Sequence, residues 1–198
     1  MSLTLTLILF LIMDPLGNVS SYLKMVSGLD PKKQHYIVIR EMLIALAAMI
    51  IFNYLGEFIF SQLQITPVTV RVASGVILFL IALKILFPSP TSLRANLPKE
   101  EPFIVPLAIP LIAGPSLLAT IMLYAHTEPS QMTMLTSILI AWAAAVIVLL
   151  FSEQLQHTLG SNGLMACERL MGMILVLLGI QRFLEGIALF IPLYCHQT

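Results

Sequence analysis

Charged residues are scarce in this 198-residue chain: lysine and arginine together number 10, aspartate and glutamate 10, and the formal net charge is zero. That balance leaves no basic stripe of the kind a nucleic-acid-binding surface needs, so no nucleic acid is expected as a partner. Cysteine is nearly absent. Cys167 and Cys195 stand alone, without CxxC or metal-ligand spacing, which argues against a disulfide framework, a redox pair or a zinc site. No glycine-rich phosphate loop, GxSxG elbow, HExxH helix or Cys/His cluster occurs. ATP hydrolysis and the familiar membrane hydrolases therefore find no support, and neither an enzymatic activity nor a resident cofactor is expected. The first apolar run has no basic segment ahead of it and no small-residue cleavage site behind it, so it reads as a retained span.

What fills the chain instead is hydrocarbon. Hydrophobic residues make up 59% of it, and the mean hydropathy is +0.97, values of a polytopic membrane protein embedded in a lipid bilayer. Apolar runs of about 20 residues, the length that crosses a bilayer at about 1.5 Å per residue, recur with short links between them. Six helical spans are predicted near residues 3–27, 37–56, 67–87, 103–125, 134–151 and 167–191, forming one all-α transmembrane domain over residues 1–198. Lys24, Lys32, Lys33 and Arg40 flank the first loop and Lys84, Arg94 and Lys99 the third, whereas the second and fourth loops hold no lysine or arginine. Basic loops stay in the cytoplasm, so both termini are expected on the outer, periplasmic side. Arg40 and Glu41 then open span two, where an acidic residue caps a helix N-terminus. Arg182 and Glu185, spaced i,i+3, read as an interfacial ion pair. Asn53, Ser74, Ser137 and Gln181 are expected to satisfy themselves against neighbouring helices, and Glu57 and His126 to lie in the outer loops.

The chain resembles itself. At an offset of 97 residues Gly17 meets Gly114, and "RVASGVILFLIALKIL" (71–86) falls on "ERLMGMILVLLGIQRFL" from Glu168, with Gly75 on Gly172. At an offset of 96, "LIALAAM" from Leu43 falls on "LIAWAAA" from Leu139. The repeat units cover about 1–87 and 103–198, joined by the polar link "PSPTSLRANLPKEEP" (88–102), expected to be a flexible cytoplasmic connection. A unit of three spans is an odd number, so its second copy is inverted, the architecture of many secondary transporters.

The repeat also pairs two interruptions, "MDPLGN" in span one and "PLIAGPS" in span four. About eleven apolar residues precede Asp14, so the first break falls near mid-depth, where lipid would leave freed backbone groups unpaired at several kcal/mol each. Such breaks must be enclosed by protein or line a watery cavity. Asp14-Pro15 and Gly114-Pro115 each read as a cap followed by proline at the first helical position, so each break restarts a helix. The two restarted N-termini, each carrying roughly half a positive charge, converge on one central site that suits a carboxylate. Amides near residues 16–18 and 116–118 are the expected donors, with Ser116 and Thr120 as hydroxyl partners. Asp14 is read either as the partner of a substrate ammonium or carrier of a coupling proton, or only as a cap.

These residues resemble the MarC family of bacterial inner-membrane proteins. The resemblance lies in "MDPLGN", "REMLIAL" at Arg40, "GVILFLIALKILFPS", "EEPFIVPLAIPLIAGPSLLAT" and "ERLMGMILVLLG", and covers nearly the whole chain. It implies transport of small neutral amino acids of the glycine or alanine kind. Carried over to this sequence, it points to Asp14, Pro15, Gly17 and Asn18 in the first motif and Pro110, Gly114 and Pro115 in the second. Ser20 stands where the family often has proline, and Ser116 where it often has glycine or threonine, and both bear on substrate preference. The expectation is a secondary transporter for a small zwitterion held between spans one and four, with a proton or sodium ion as the coupling partner. The alternatives are a passive channel or exporter for another small solute, and a membrane scaffold that moves nothing. Oligomeric state is not legible.

Overall fold

The computed structural model describes residues 3–87, 107–127 and 130–195, and among these every regular element is helical. In chain order they are α1 (Leu3–Met13), α2 (Pro15–Val26), α3 (Pro31–Leu63), α4 (Pro67–Leu86), a π-helical segment (Leu107–Ile112), α5 (Pro115–Thr127), α6 (Gln131–Leu150) and α7 (Ser152–Cys195). The link 88–102 lies outside the described residues. Four helices begin on proline, at 15, 31, 67 and 115. Proline there loses nothing, because the first-turn amides of a helix have no intrahelical acceptor.

Among the described residues five stretches are long and apolar enough to cross a membrane: Leu3–Val26, Pro31–Gly56, Pro67–Leu86, Gln131–Leu150 and Ser152–Ile191. The expected fourth span is described from Leu107 onward, where it is a π-helical segment followed by the 13-residue α5. Two boundaries differ from expectation. Helix α3 starts at Pro31, with Asp30 accepting from the Lys32 amide, and is 33 residues long. Arg40 and Glu41 therefore lie well inside the helix rather than at its start, and Glu57 is helical rather than in a loop. Helix α7 starts at Ser152 and turns sharply at Gly160 (φ 65°, ψ 177°), a backbone conformation that glycine adopts without strain. His126 sits in the last turn of α5, with its ring edge-on to Phe60.

The outer faces are greasy, and the interior, largely leucine, isoleucine and methionine, also takes in polar side chains. Leu80, Ile147 and Leu177 are more than half exposed. By contrast Asp14, Asn18, Glu41, Asn53, Ser116, Thr120, Ser137 and Arg182 are all buried. Bilayer hydrocarbon gives no hydrophobic drive between helices, so close approach and polar pairing hold them together. The closest approach is between α4 and α7. Gly172, Gly179 and Gly186 recur every seven residues on α7, and a Cβ on Gly179 would lie 2.8 Å from the Phe79 nitrogen and 3.0 Å from the Gly75 oxygen. A Cβ on Gly75 would lie 2.6 Å from the Phe183 nitrogen. Residue pairs along this seam run in opposite senses, so α4 and α7 are antiparallel.

Helices α3 and α5 run parallel. Gly56 meets Met122 and Phe60 meets His126, pairs that share one offset of 66 residues. The connection from α5 to α6 is three residues long, too short to cross a membrane, so α6 returns antiparallel to both. The Trp142 indole on α6 donates to the Met42 carbonyl on α3 at 2.7 Å and fixes their register.

Candidate functional site

The first break is a single residue wide. Asp14 takes a left-handed backbone conformation (φ 47°, ψ 53°), which costs an ordinary L-residue roughly 1–2 kcal/mol and which aspartate tolerates better than most. Its Oδ1 accepts the Gly17 amide at 3.0 Å, and its carbonyl accepts the Asn18 amide at 3.0 Å. The expected N-cap is therefore present, and it uses two of the amides expected for substrate. Gly17 has a local reason: a Cβ there would lie 2.6 Å from Asp14 Cγ and Oδ1. The carboxylate folds back over a residue without a side chain. The role expected for Gly17, close approach of a ligand to its backbone, is thus filled by the chain's own Asp14.

The second break is wider. Ile109 leaves helical geometry (φ −132°, ψ 125°), the Ala113 amide closes a π-type turn on the Ala108 carbonyl at 2.8 Å, and α5 restarts at Pro115. Gly114 offers no side chain, and among the described residues no side chain accepts a hydrogen bond from the amides of Ser116 or Leu117. Helix α5 thus lacks the side-chain cap that α2 has. Pro115 is exposed, whereas Ala113, Gly114, Ser116 and Leu117 around it are buried. Thr120 donates its hydroxyl to the Ser116 carbonyl one turn back at 2.7 Å, which commits its proton to the helix.

One side chain joins the two breaks. The Asn18 amide nitrogen, wholly buried, donates to the Met13 carbonyl at 3.0 Å and to the Leu111 carbonyl at 3.3 Å. The Met13 carbonyl would have paired with the Gly17 amide in an unbroken helix, and the Leu111 carbonyl has no helical donor because Pro115, four residues on, carries no N–H. Asn18 thus ties the first break to Leu111, just before the second.

The remaining buried polar groups correct several expectations. Glu185 pairs across to Arg71 of α4 at 3.3 Å and accepts from Gln181 at 2.9 Å. Arg182 turns inward instead, donating to the Tyr124 hydroxyl of α5 at 2.8 Å. An i,i+3 spacing permits a pair but cannot say which neighbouring helix competes for it. Ser74 does satisfy itself, on the Arg71 carbonyl at 3.0 Å. Asn53 and Ser137 do not: neither polar atom of Asn53 nor the Ser137 hydroxyl has a partner. Glu41 is fully buried, with Oε1 bound by Arg40 at 2.8 Å and Oε2 unpartnered. Sequence reasoning undervalued Glu41 because it misplaced the start of α3 by two turns.

A cleft of about 500 Å³ opens where α2, the start of α3 and the start of α7 meet, on the side of the basic first loop. Lys24, Gln34, Glu153 and Glu168 line its mouth and Ser20 its inner wall. Ser20 is six residues beyond Asp14, about 9 Å along the helix. The cleft was not legible in the sequence, because the polar run 152–166 reads as a loop and is helical.

Residues 1–191 match the MarC family of integral membrane proteins. The chain is 48% identical over 182 residues to the inner membrane protein YhgN of Escherichia coli K12, covering 91% of this chain and 92% of that one. It is 48% identical over 189 residues to a membrane protein of Buchnera aphidicola from Baizongia pistaciae, covering 93% and 95%. It is 31% identical over 182 residues to a membrane protein of the archaeon Pyrococcus abyssi, covering 90% of each. No solved structure matches the chain significantly.

Proposed function

This chain belongs to the MarC family of integral membrane proteins, and from that premise we propose that it is a secondary transporter of small neutral amino acids or similar small zwitterions, and not an enzyme. The observation that carries the reading is Asn18 donating to carbonyls of both breaks, since two interrupted helices tied together at mid-depth make a site that lipid could not stabilise. The uncapped end of α5 at Ser116 and Leu117 receives the carboxylate, with the Ser116 hydroxyl beside it. Asp14, which caps α2 through Oδ1, is the partner of the ammonium. A coupling ion, proton or sodium, completes the cycle, and no resident cofactor takes part.

Two inverted three-helix units give this site its alternating access. Supporting that architecture, neighbour relations survive exchange of the halves: α1 packs on α6 as the π-helical segment packs on α3, and α2 packs on α7 as α5 packs on α4. Helices α4 and α7, paired by the internal resemblance, pack on each other. The protein resides in the inner membrane, in keeping with the description of its Escherichia coli relative, and both termini face the periplasm. Alkaline phosphatase fused to the C-terminus should then be active. An inactive phosphatase with a bright cytoplasmic fluorescent reporter at the same position would reverse the topology.

Counterflow of labelled glycine and L-alanine in proteoliposomes tests the transport reading. A carrier shows saturable uptake accelerated by unlabelled substrate inside, a channel shows no acceleration, and a scaffold shows no uptake. Asp14→Asn separates the two roles of Asp14, because asparagine caps helices and tolerates left-handed backbone nearly as well. Stability should fall by less than about 1 kcal/mol and exchange by at least about tenfold. Full exchange by Asp14→Asn would leave Asp14 a cap alone.

A further inference from the structure

We infer that Glu41 carries the proton that couples transport to the transmembrane proton gradient, an inference that rests on the transport reading above. Glu41 is fully buried in a membrane-spanning helix, one carboxylate oxygen is held by Arg40 and the other has no partner. An ionisable group at such depth is costly, about 2.5–3.5 kcal/mol on insertion scales, and an unpaired oxygen adds to the cost.

Its position is set by the packing. Helix α3 packs on the π-helical segment as well as on α5, and keeps a 66-residue register with α5. Leu111 of that segment is where Asn18 ties the two interruptions together, so Glu41 lies on the helix that flanks the second break. Its neighbour Met42 holds Trp142 of α6 through its carbonyl. Counting back along antiparallel α6 from that contact brings Ser137, whose fully buried hydroxyl also lacks a partner, level with Ala47, about 9 Å along the axis from Glu41. The internal resemblance at offset 96 maps Glu41 onto Ser137 itself, so the two halves differ here by one carboxylate.

A proton suits this place better than a metal cation. Sodium needs several oxygen ligands, whereas a proton needs one lone pair, and Oε2 has it. The π-helical segment and α6, both packed on α3, carry no titratable side chain. The titratable groups of α5, Tyr124 and His126, lie about 25 Å further along the same register. Arg40 is the charged partner of Glu41, and toward the start of α3 Tyr22 of α2 and Glu153 of α7 face Gln34, His35 and Val38. In the step itself a proton from outer water binds Oε2 and neutralises the carboxylate, and after the helices rock it leaves Oε2 for inner water, Arg40 keeping its charge throughout. Asp14 cannot do this as readily, because a protonated carboxyl is a poor acceptor for the Gly17 amide.

The test uses the full chain in proteoliposomes with labelled glycine and L-alanine. Exchange needs no net proton movement, so Glu41→Gln, fixed in the neutral form, should keep counterflow within about twofold while accumulation driven by a pH gradient falls at least about tenfold. Accumulation by Glu41→Gln at the wild-type level overturns the inference and leaves the transport reading standing. Wild-type accumulation driven by a sodium gradient and not by pH does the same. Absence of wild-type counterflow for both amino acids overturns both. If Glu41→Gln loses counterflow as well, Glu41→Asp decides: accumulation with a displaced pH profile supports the inference, and an unchanged profile or none overturns it.

Discussion

Gly179→Leu should separate α4 from α7 and cost the protein about 3 kcal/mol or more of its stability, close to the upper range for overpacking, because the added side chain meets backbone rather than side chains. A first carbon on residue 179 already lies 2.8 Å from the Phe79 nitrogen and 3.0 Å from the Gly75 oxygen. Backbone atoms inside two long helices cannot move aside singly, so the whole seam must open, and Gly75, Gly172 and Gly186 lose their contacts with it. Reversible unfolding in mixed micelles measures the loss. Ala188→Leu, on the exposed side of the same helix, is the control and should stay within about 0.5 kcal/mol of the parent. If both substitutions cost the same, the glycine seam is not what holds these helices together.

Gly17→Ala should be nearly as damaging, by a route confined to one turn. The new methyl collides with the Asp14 carboxylate, so the carboxylate must swing away from the Gly17 amide. Loss of the cap costs about 1 kcal/mol, and a buried amide left unpaired adds about 1–3 kcal/mol. Exchange activity should fall with it, because displaced Asp14 no longer fixes the first restart beside Asn18. A double-mutant cycle identifies the cause. In an Asp14→Ala background the collision is gone, so Gly17→Ala should then cost only a few tenths of a kcal/mol. A full additive loss in that background would show that Gly17 is needed for something other than the fold-back of Asp14.

Gly17 is singled out by the internal resemblance, whereas Gly179 is not, and the difference is instructive. Gly17 and Gly114 are paired by the internal resemblance, and a ligand approaching bare backbone was a fair expectation for each. Gly17 turns out to be covered by a side chain three residues earlier, a contact set by the left-handed turn at Asp14. Gly75 and Gly172 are likewise paired by the resemblance, but that they belong to one packed seam follows only from α4 and α7 lying side by side.

The linear order of residues determined what is local or one-dimensional in this protein. Composition and run length fixed a helical bundle in lipid, because hydrocarbon admits little else for an unsatisfied backbone. Proline after aspartate or glycine fixed where each interrupted helix restarts, because that preference is a matter of adjacent amides. The tertiary structure alone decided which freed carbonyls meet, that Asn18 serves both breaks, that Arg182 leaves Glu185 for Tyr124, and that Glu41 lies fully buried with one oxygen unspent. Those outcomes depend on which helix is the neighbour and in what register, and an apolar helix of leucine, alanine and isoleucine carries almost no local mark of either.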